Sequence, residues 1–329
     1  MKKHFFWPNE IIFSATNACN LHCEHCFIER NPHKLDIEEA VAFLENCVTS
    51  GGKAYTIKQP DYSDKTNSKE NSLPIIDRIG FSGGEPFLYM DFLTALTKAA
   101  VSHDLLFDQI MTNGDWWHEE TDLRQTLQTL YDSGYDGKIG LSWDSYHGQS
   151  AERMEKFITV VQEIFGKDSI SIQTVDTVSL SNLTRQSVPD IDSHVKHEND
   201  ISFPGIPVYH LPRTYSADDP RGWKAKHWFK EDYCQGPGNI LYVHADGNIA
   251  PCCGFANENP ALFIGTIKDS LEQIMQNAAS NKMVQLCFEK GLSHHRHNVK
   301  KQLRSQHKKF PGKTADICTF CDFVCKLKQ

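Results

Sequence analysis

Residues 18–27 read ACNLHCEHCF. The stretch holds Cys19, Cys23 and Cys26, with three residues in the first gap and two in the second. The apolar run EIIFSAT just before it reads as a strand, which puts the cysteines on the loop at its end. Structural metal sites close their coordination with protein ligands, and an open position marks a catalytic centre. A cubane iron–sulfur cluster has four irons, so three cysteines leave one iron for another ligand. The next cysteine, Cys47, shares an apolar stripe with Leu44 and Val48 and reads as a core thiol. Zinc completed by His22 or His25 is the alternative. Both histidines lie inside the same tight loop, where wrapping a tetrahedral ion is awkward.

The rest of the composition bounds the answer. The chain has 329 residues, 40% of them hydrophobic, enough for a large core or a core plus a smaller module. A net charge of −8 gives no sign of a nucleic-acid partner or a polybasic membrane protein. Residues 282–329 nevertheless carry 11 Lys/Arg against 3 Asp/Glu, net +8, which leaves −16 for the remainder. That basic end reads as a solvated face or as a contact for an anionic partner. No apolar run reaches 18 residues, so no membrane span is expected. The start MKKHFFWPNE lacks the apolar core of a secretory signal. A cytoplasmic chain is the expectation, and there 11 cysteines read as metal ligands or reactive thiols rather than disulfides.

From residue 10 to about 212, short apolar runs (EIIFSAT, IDRIGFS, LFDQIMTNG, KIGLSWDS, SISIQTV, IPVYHLP) alternate with stretches of helical period at 36–50, 90–103, 121–133 and 150–166. Asp36 is the expected N-cap of the first helix. This alternation predicts an α/β fold with a parallel sheet and crossover helices, six strands making an open or partial barrel. The active site would then lie at the carboxyl ends of the strands. The polar stretches 56–74 and 181–200 read as surface insertions. Beyond about 233 the chain turns cysteine-rich. NILYVHADGNIAPCC predicts a hairpin about Asp246-Gly247, a helical stretch spans 268–290, and CTFCDFVCKLKQ closes the sequence.

Cys19-x3-Cys23-x2-Cys26 after a first strand resembles the radical S-adenosylmethionine (radical SAM) superfamily. FSGGEP (81–86), MTNG (111–114) and LSWDSYH (141–147) follow in that family's order. The resemblance covers roughly residues 10–212. It implies a partial (β/α)6 TIM-like barrel and a [4Fe–4S] cluster on Cys19, Cys23 and Cys26. The open iron would bind the amino and carboxylate groups of S-adenosylmethionine, whose reductive cleavage gives a 5′-deoxyadenosyl radical. Gly83, Gly84 and Glu85 would receive the methionine amino group, for glycines admit close approach and a carboxylate pairs with an ammonium. Asn113 and Ser142 are further candidate contacts, with loop capping as the alternative for each. His25 stands where the family usually has an aromatic residue beside the adenine.

The second cysteine set resembles the SPASM/twitch extension of these enzymes, which carries auxiliary [4Fe–4S] clusters. On that reading residues 1–215 are the radical SAM core and 216–329 the auxiliary-cluster domain. At least one auxiliary cluster is expected, on Cys234, Cys252, Cys318 and Cys321, with Cys325 able to replace one. A zinc-ribbon-like site is the alternative. Cys253 takes the place of an Asp base found in sulfatase-maturing members, which argues against that activity and makes Cys253 a candidate hydrogen donor. Cys287, in step with Met283 and Val284, reads as a core thiol, a donor role staying open. SHHRH (293–297) reads as solvated. Trp116 and Trp117 read either as a substrate wall or as packing.

The expected activity is radical modification of a ribosomally made peptide or protein, by crosslink, thioether or epimerisation. A small-molecule epimerase or dehydrogenase acting on an aminoglycoside or other sugar is the second reading. The third, of another class, is an iron–sulfur electron-transfer or zinc-structured binding protein. Expected partners are the peptide or small-molecule substrate, a separate precursor-recognition protein and a flavodoxin- or ferredoxin-type electron donor. The last two follow from the short stretch before the first strand and from the reductive chemistry.

Overall fold

In the computed structural model, residues 5–29, 31–55, 71–175, 205–211, 213–230, 233–234 and 238–327 are described. The chain divides into two units: Ser14–Lys34 with Ile79–Arg213, and Met1–Phe13 with Leu35–Arg78 and Thr214–Gln329.

All six apolar runs between residue 10 and about 212 contain strands: β1 (Glu10–Ser14), β4 (Arg78–Ser82), β5 (Leu106–Thr112), β6 (Lys138–Ser142), β7 (Ile170–Thr174) and β8 (Val208–His210). A short hairpin of β2 (Ala54–Tyr55) and β3 (Asn71–Ser72) precedes β4. It takes in part of the expected insertion, while 56–70 and 181–200 lie outside the described residues. The expected helices form as α1 (Ile37–Ser50), α2 (Met90–Ser102), α3 (Glu120–Asp132) and α4 (Ala151–Phe165). Asp36 caps α1 by accepting the Glu39 N–H at 2.9 Å, and Ser150 caps α4 in the same way.

In the first unit the strand order is β4-β5-β6-β7-β8, with β5, β6, β7 and β8 paired in parallel. Parallel strands covered on both faces lose the in–out alternation, and Ile139, Gly140 and Leu141 of β6 are buried in succession. Leu93 and Leu96 of α2, Leu123 and Leu127 of α3, and Phe157 and Val161 of α4 have no exposed surface. Each such side chain contributes roughly 1.5–3 kcal/mol of burial free energy. This core fixes the carboxyl ends of β4, β5 and β6, where Gly83, Asn113 and Trp143 begin the loops.

In the second unit β1 runs parallel to β9 (Gly238–Val243). The hairpin expected at Asp246-Gly247 joins β9 to β10 (Asn248–Cys252), with Gly247 at φ +85°, and β10 pairs with β11 (Gly265–Thr266). Cys47 is fully buried in α1, as its stripe implied. The expected helix at 268–290 breaks in two. α5 (Leu271–Ser280) stops before Asn281, α6 (Lys282–Gln285) follows, and Leu286–Lys290 is a π-turn. The break is chemical. Asn281 is extended (φ −73°, ψ 118°) and its side-chain oxygen accepts the Met283 and Val284 N–H groups. Its amide donates to the carbonyls of Ala261 and Phe263 at 3.1 and 3.2 Å. Two further helices, α7 (Leu292–Ser305) and α8 (Ile317–Leu327), complete the unit.

Asn281→Ala removes the cap and both ties at once. It is expected to lower stability by about 2 kcal/mol, read by denaturant unfolding of the full chain. An unchanged unfolding midpoint would show that the break is held by other contacts.

Candidate functional site

The cysteine loop is closed at its base. Thr16 and Lys34 form an isolated antiparallel bridge, the Asn17 N–H donates to the His33 carbonyl at 3.0 Å, and the Thr16 hydroxyl donates to the same oxygen at 2.9 Å. A tight turn follows, with the Cys26 N–H on the Cys23 carbonyl at 3.2 Å. Exposure rises along the loop, Cys19 and Cys23 being half-buried and Cys26 exposed.

Gly83 and Gly84 are what let this loop sit where it does. The Gly84 N–H donates to Thr16 O at 2.7 Å and the Glu85 N–H to Ala18 O at 2.9 Å. A Cβ on Gly84 would stand 2.3 Å from Ala18 O, and one on Gly83, at φ +130°, 2.6 Å from Thr16 O. The close approach that the glycine pair permits is thus to the cysteine loop's own backbone.

Glu85 is fully buried. One carboxylate oxygen accepts the Phe87 N–H at 3.1 Å and the Thr112 hydroxyl at 2.9 Å, and the other accepts the Asn113 N–H at 2.8 Å. Burial pushes the carboxyl up to about 7 against the pull of those donors. Asn113 continues the chain of contacts. Its amide donates to Asn20 at 2.9 Å and to the Cys19 sulfur at 3.6 Å, and the Leu21 N–H reaches that sulfur at 3.4 Å. Burial pushes the Cys19 thiol up, and these donors oppose it. Ser142 ends β6, where its carbonyl accepts the Gln149 amide at 3.1 Å.

The loop after β6 brings in residues that sequence reasoning passed over. His147 binds Asp144 at 2.7 Å through Nδ1 and also hydrogen-bonds the Cys23 thiol. Burial alone would depress His147. Asp144 and Cys23 outweigh it and push the imidazole up to about 9. Burial likewise raises Asp144, and His147 with His25 outweighs it, holding the carboxyl low. The His25 ring packs on Tyr146 at 5.2 Å and His147 at 4.9 Å, and the Arg213 guanidinium lies 4.1 Å over Tyr146. The signal was in the sequence: DSYH directly follows a strand's carboxyl end, where ligand groups gather. Trp116 and Trp117 are both buried. One stacks on Phe87 at 4.7 Å, and the other donates to Gly114 O and lies under Arg153, so they pack the site's floor.

In the second unit five of the cysteines, Cys234, Cys252, Cys287, Cys318 and Cys321, line one cavity with apolar walls that include Phe288 and Leu292. Cys234 enters from the loop before β9, Cys252 from the end of β10, and Cys318 and Cys321 from α8. The Cys234 N–H donates to the Cys287 carbonyl at 3.0 Å. Burial, and then mutual repulsion, pushes Cys234 up to about 12, and burial also raises Cys252 and Cys318 well above the usual thiol range. Thiolates packed this way need a cationic centre to ionise. Cys325 lies on α8 in hydrogen-bond contact with Cys321. Cys253 is half-buried and outside the cavity lining.

Both cysteine sets offer the soft thiolate donors that an iron–sulfur cluster takes. Tetrahedral zinc, with Zn–S near 2.3 Å, would hold its sulfurs within about 4 Å of one another. Among the described residues, the one set of three or more candidate ligand atoms within 4.8 Å of one another is His25, Asp144 and His147. No three thiols meet that spacing among the described residues, although the sulfurs of Cys287 and Cys321 lie 3.7 Å apart. SHHRH forms the first turns of α7 and joins no such set.

Residues 234–322 match the model of SPASM, an iron–sulfur cluster-binding domain. The chain is 20% identical over 326 residues to YydG of Bacillus subtilis (strain 168), whose name assigns it to peptide biosynthesis. That alignment covers 94% of this chain and 90% of YydG. Among solved structures, anSMEcpe with bound AdoMet and the Cp18Cys peptide is 13% identical with a TM-score of 0.47, covering 98% of this chain and all of that one. SuiB of Streptococcus suis bound to precursor peptide SuiA is 13% identical with a TM-score of 0.44, covering 95% of this chain and 76% of that one.

The Glu85 geometry predicts a pH signature. A carboxyl raised from 4.5 to about 7 keeps its proton in the folded state after the unfolded chain has lost it. Its contribution to stability therefore falls as pH rises from 4.5 to 7, by about 3 kcal/mol at most, and is level above that. The difference in unfolding free energy between wild type and Glu85→Gln should move against wild type across that window. A difference independent of pH would contradict the burial argument.

Proposed function

We propose that this protein is a radical SAM enzyme with a SPASM-type auxiliary cluster domain, acting on a ribosomally made peptide or protein. The observation that carries the proposal is the loop of Cys19, Cys23 and Cys26, graded in exposure and set at the carboxyl ends of parallel strands. The iron–sulfur domain match at 234–322 and the relationship to a peptide-biosynthesis protein over nearly the whole chain support it. We keep residues 1–215 as the core and 216–329 as the auxiliary domain.

A [4Fe–4S] cluster on the three thiols supplies, when bound, an open iron and one electron for reductive cleavage of S-adenosylmethionine. The protein's own groups do the rest. Asn113 and the Leu21 N–H direct donors at the Cys19 sulfur, as hydrogen bonds tune such a centre. Glu85 uses its carboxylate on Thr112, Phe87 and Asn113, so the methionine ammonium is left to the backbone of the Gly83–Glu85 turn. Ser142 and His25 serve the ribose and adenine ends. Asp144 and His147 brace Cys23 and His25. Cys234, Cys252, Cys318 and Cys321, or Cys325 in place of one, would hold the auxiliary cluster, which would supply a reservoir or relay for electrons.

S-adenosylmethionine held by Gly83, Gly84, Asn113, Ser142 and His25 would supply the means of removing a hydrogen atom from the peptide. Cys253, half-buried beside the auxiliary thiols, is suited to return one: its S–H gives a hydrogen atom to the substrate carbon radical and the resulting thiyl awaits a reductant. That step makes the outcome epimerisation rather than a crosslink or thioether. A flavodoxin- or ferredoxin-type donor supplies electrons, and the precursor is received by a separate protein or by the enzyme's own surface. No helix among the described residues is long and apolar enough to cross a membrane, and we place the protein in the cytoplasm.

Anaerobic reconstitution followed by reductant and S-adenosylmethionine should release 5′-deoxyadenosine. The Cys19→Ala/Cys23→Ala/Cys26→Ala variant should release none while keeping the auxiliary cluster's absorbance. Absence of 5′-deoxyadenosine from reconstituted wild type, with or without peptide, would end the enzyme reading. In deuterated buffer the epimerised residue should carry deuterium, and Cys253→Ala should still consume S-adenosylmethionine without giving that product. Undiminished product from Cys253→Ala would remove the donor role.

A further inference from the structure

Cys287 is buried, as its sequence stripe implies, but its neighbours are not all apolar. Its sulfur lies 3.7 Å from that of Cys321 in a buried S–H···S contact. It faces the same cavity as Cys234, Cys252, Cys318 and Cys321. That makes five thiols around a space where a cluster takes four.

The backbone shows how Cys287 comes to be there. After α6 the chain widens into the π-turn Leu286–Lys290, closed by the Gly291 N–H on Leu286 O at 2.9 Å, with Gly291 at φ +83°. Single π-turns are rare and occur often at functional sites. The Cys287 carbonyl is then taken by the N–H of Cys234 at 3.0 Å, so this turn is fastened to a neighbouring ligand candidate.

The sulfur–sulfur distance decides between roles. The four terminal bonds of a cubane diverge from its corners, so two of its protein sulfurs do not sit in van der Waals contact with a proton between them. A separation of 3.7 Å therefore suits one ligand and one partner at a single corner, not two ligands at two corners. Cys325 also contacts Cys321, but it is not on the cavity wall, whereas Cys287 is.

We infer that Cys287 and Cys321 form an interchangeable pair serving one iron of the auxiliary cluster, either sulfur binding while the other holds the proton. This rests on the reading of 234–322 as a cluster-binding domain. The exchange is balanced and involves no oxidant. The incoming thiol gives its proton to the departing thiolate across the S–H···S contact, one Fe–S bond forms and one breaks, and no electron changes owner.

The test uses the full chain in the Cys19→Ala/Cys23→Ala/Cys26→Ala background, which isolates the auxiliary centre, reconstituted anaerobically with ferrous iron and sulfide. Iron and sulfide per chain and the EPR spectrum after dithionite reduction are read, with circular dichroism confirming the fold. Cys287→Ala and Cys321→Ala should each keep the background's iron and sulfide, with an altered EPR line shape in Cys321→Ala. Cys287→Ala/Cys321→Ala should lose the cluster. Where an alanine variant unfolds, the serine variant at the same position is read instead. Loss of the cluster in either single variant overturns the pairing, as does its retention in the double variant. A background chain that takes up no cluster at all overturns the cluster-domain reading, a result distinct from the three above.

Discussion

A buried carboxylate organises the first unit. Glu85 sits with no solvent and three donors, from Phe87, Thr112 and Asn113, and so locks the end of β5 to the turn after β4. Such a group is costly to bury unless its oxygens are fully used, and here they are. The turn it anchors presents Gly83 and Gly84 flush against residues 16–18, at distances where any side chain would collide. The cysteine loop is therefore held on two sides, by its own closure at Thr16 and Lys34 and by the backbone of Gly84 and Glu85. Asn113, fixed by the same carboxylate, reaches the Cys19 sulfur. One acid thus sets both the position of the loop and a hydrogen bond to one of its thiols.

The second unit solves a different problem. Its thiols arrive from four places in the sequence, the loop at Cys234, the end of β10, the π-turn and α8. Desolvation keeps them neutral as they stand, and Cys234 is pushed up to about 12. Their enclosure favours a centre that brings its own positive charge and removes their protons. The apolar walls that make the thiols reluctant to ionise also exclude water from whatever they bind, which bears on reduction potential.

Much of this was readable from the sequence, and the reasons are specific. The buried strands β6 and β7 were legible because buried parallel strands are continuous hydrophobic stretches, and α1 and α4 kept their starts because Asp36 and Ser150 are strong caps. The Asp246-Gly247 hairpin followed from turn chemistry alone. The helix at 268–290 was misread because periodicity cannot see Asn281, an ordinary polar residue until its amide finds two carbonyls eighteen and twenty residues upstream. The same blindness hid Cys287. It is buried in helical step with Met283 and Val284, and periodicity cannot see that the cavity it faces is lined by other thiols. Glu85 was expected to face a ligand because a carboxylate beside two glycines invites that reading. Whether an acid points into a cavity or under a turn is settled by long-range packing.

On the proposed reading, the two cysteine sets differ in how the chain controls the ligand count of a metal centre. Around Cys19, Cys23 and Cys26 the count is held at three by isolation. The nearest other cysteine in sequence, Cys47, is sealed in α1, and the residues that close on the loop are amides, imidazoles and a carboxylate already committed elsewhere. Among the described residues no other thiol is placed in contact with this loop, which accords with a fourth corner left for a substrate. Around the second set the count is held at four by excess. With Cys287 and Cys321 in contact, a corner that loses one sulfur has another 3.7 Å away. Deficit leaves a site reactive and surplus keeps one closed. The difference lies in where the helices place spare thiols rather than in the chemistry of sulfur, which is the same in both.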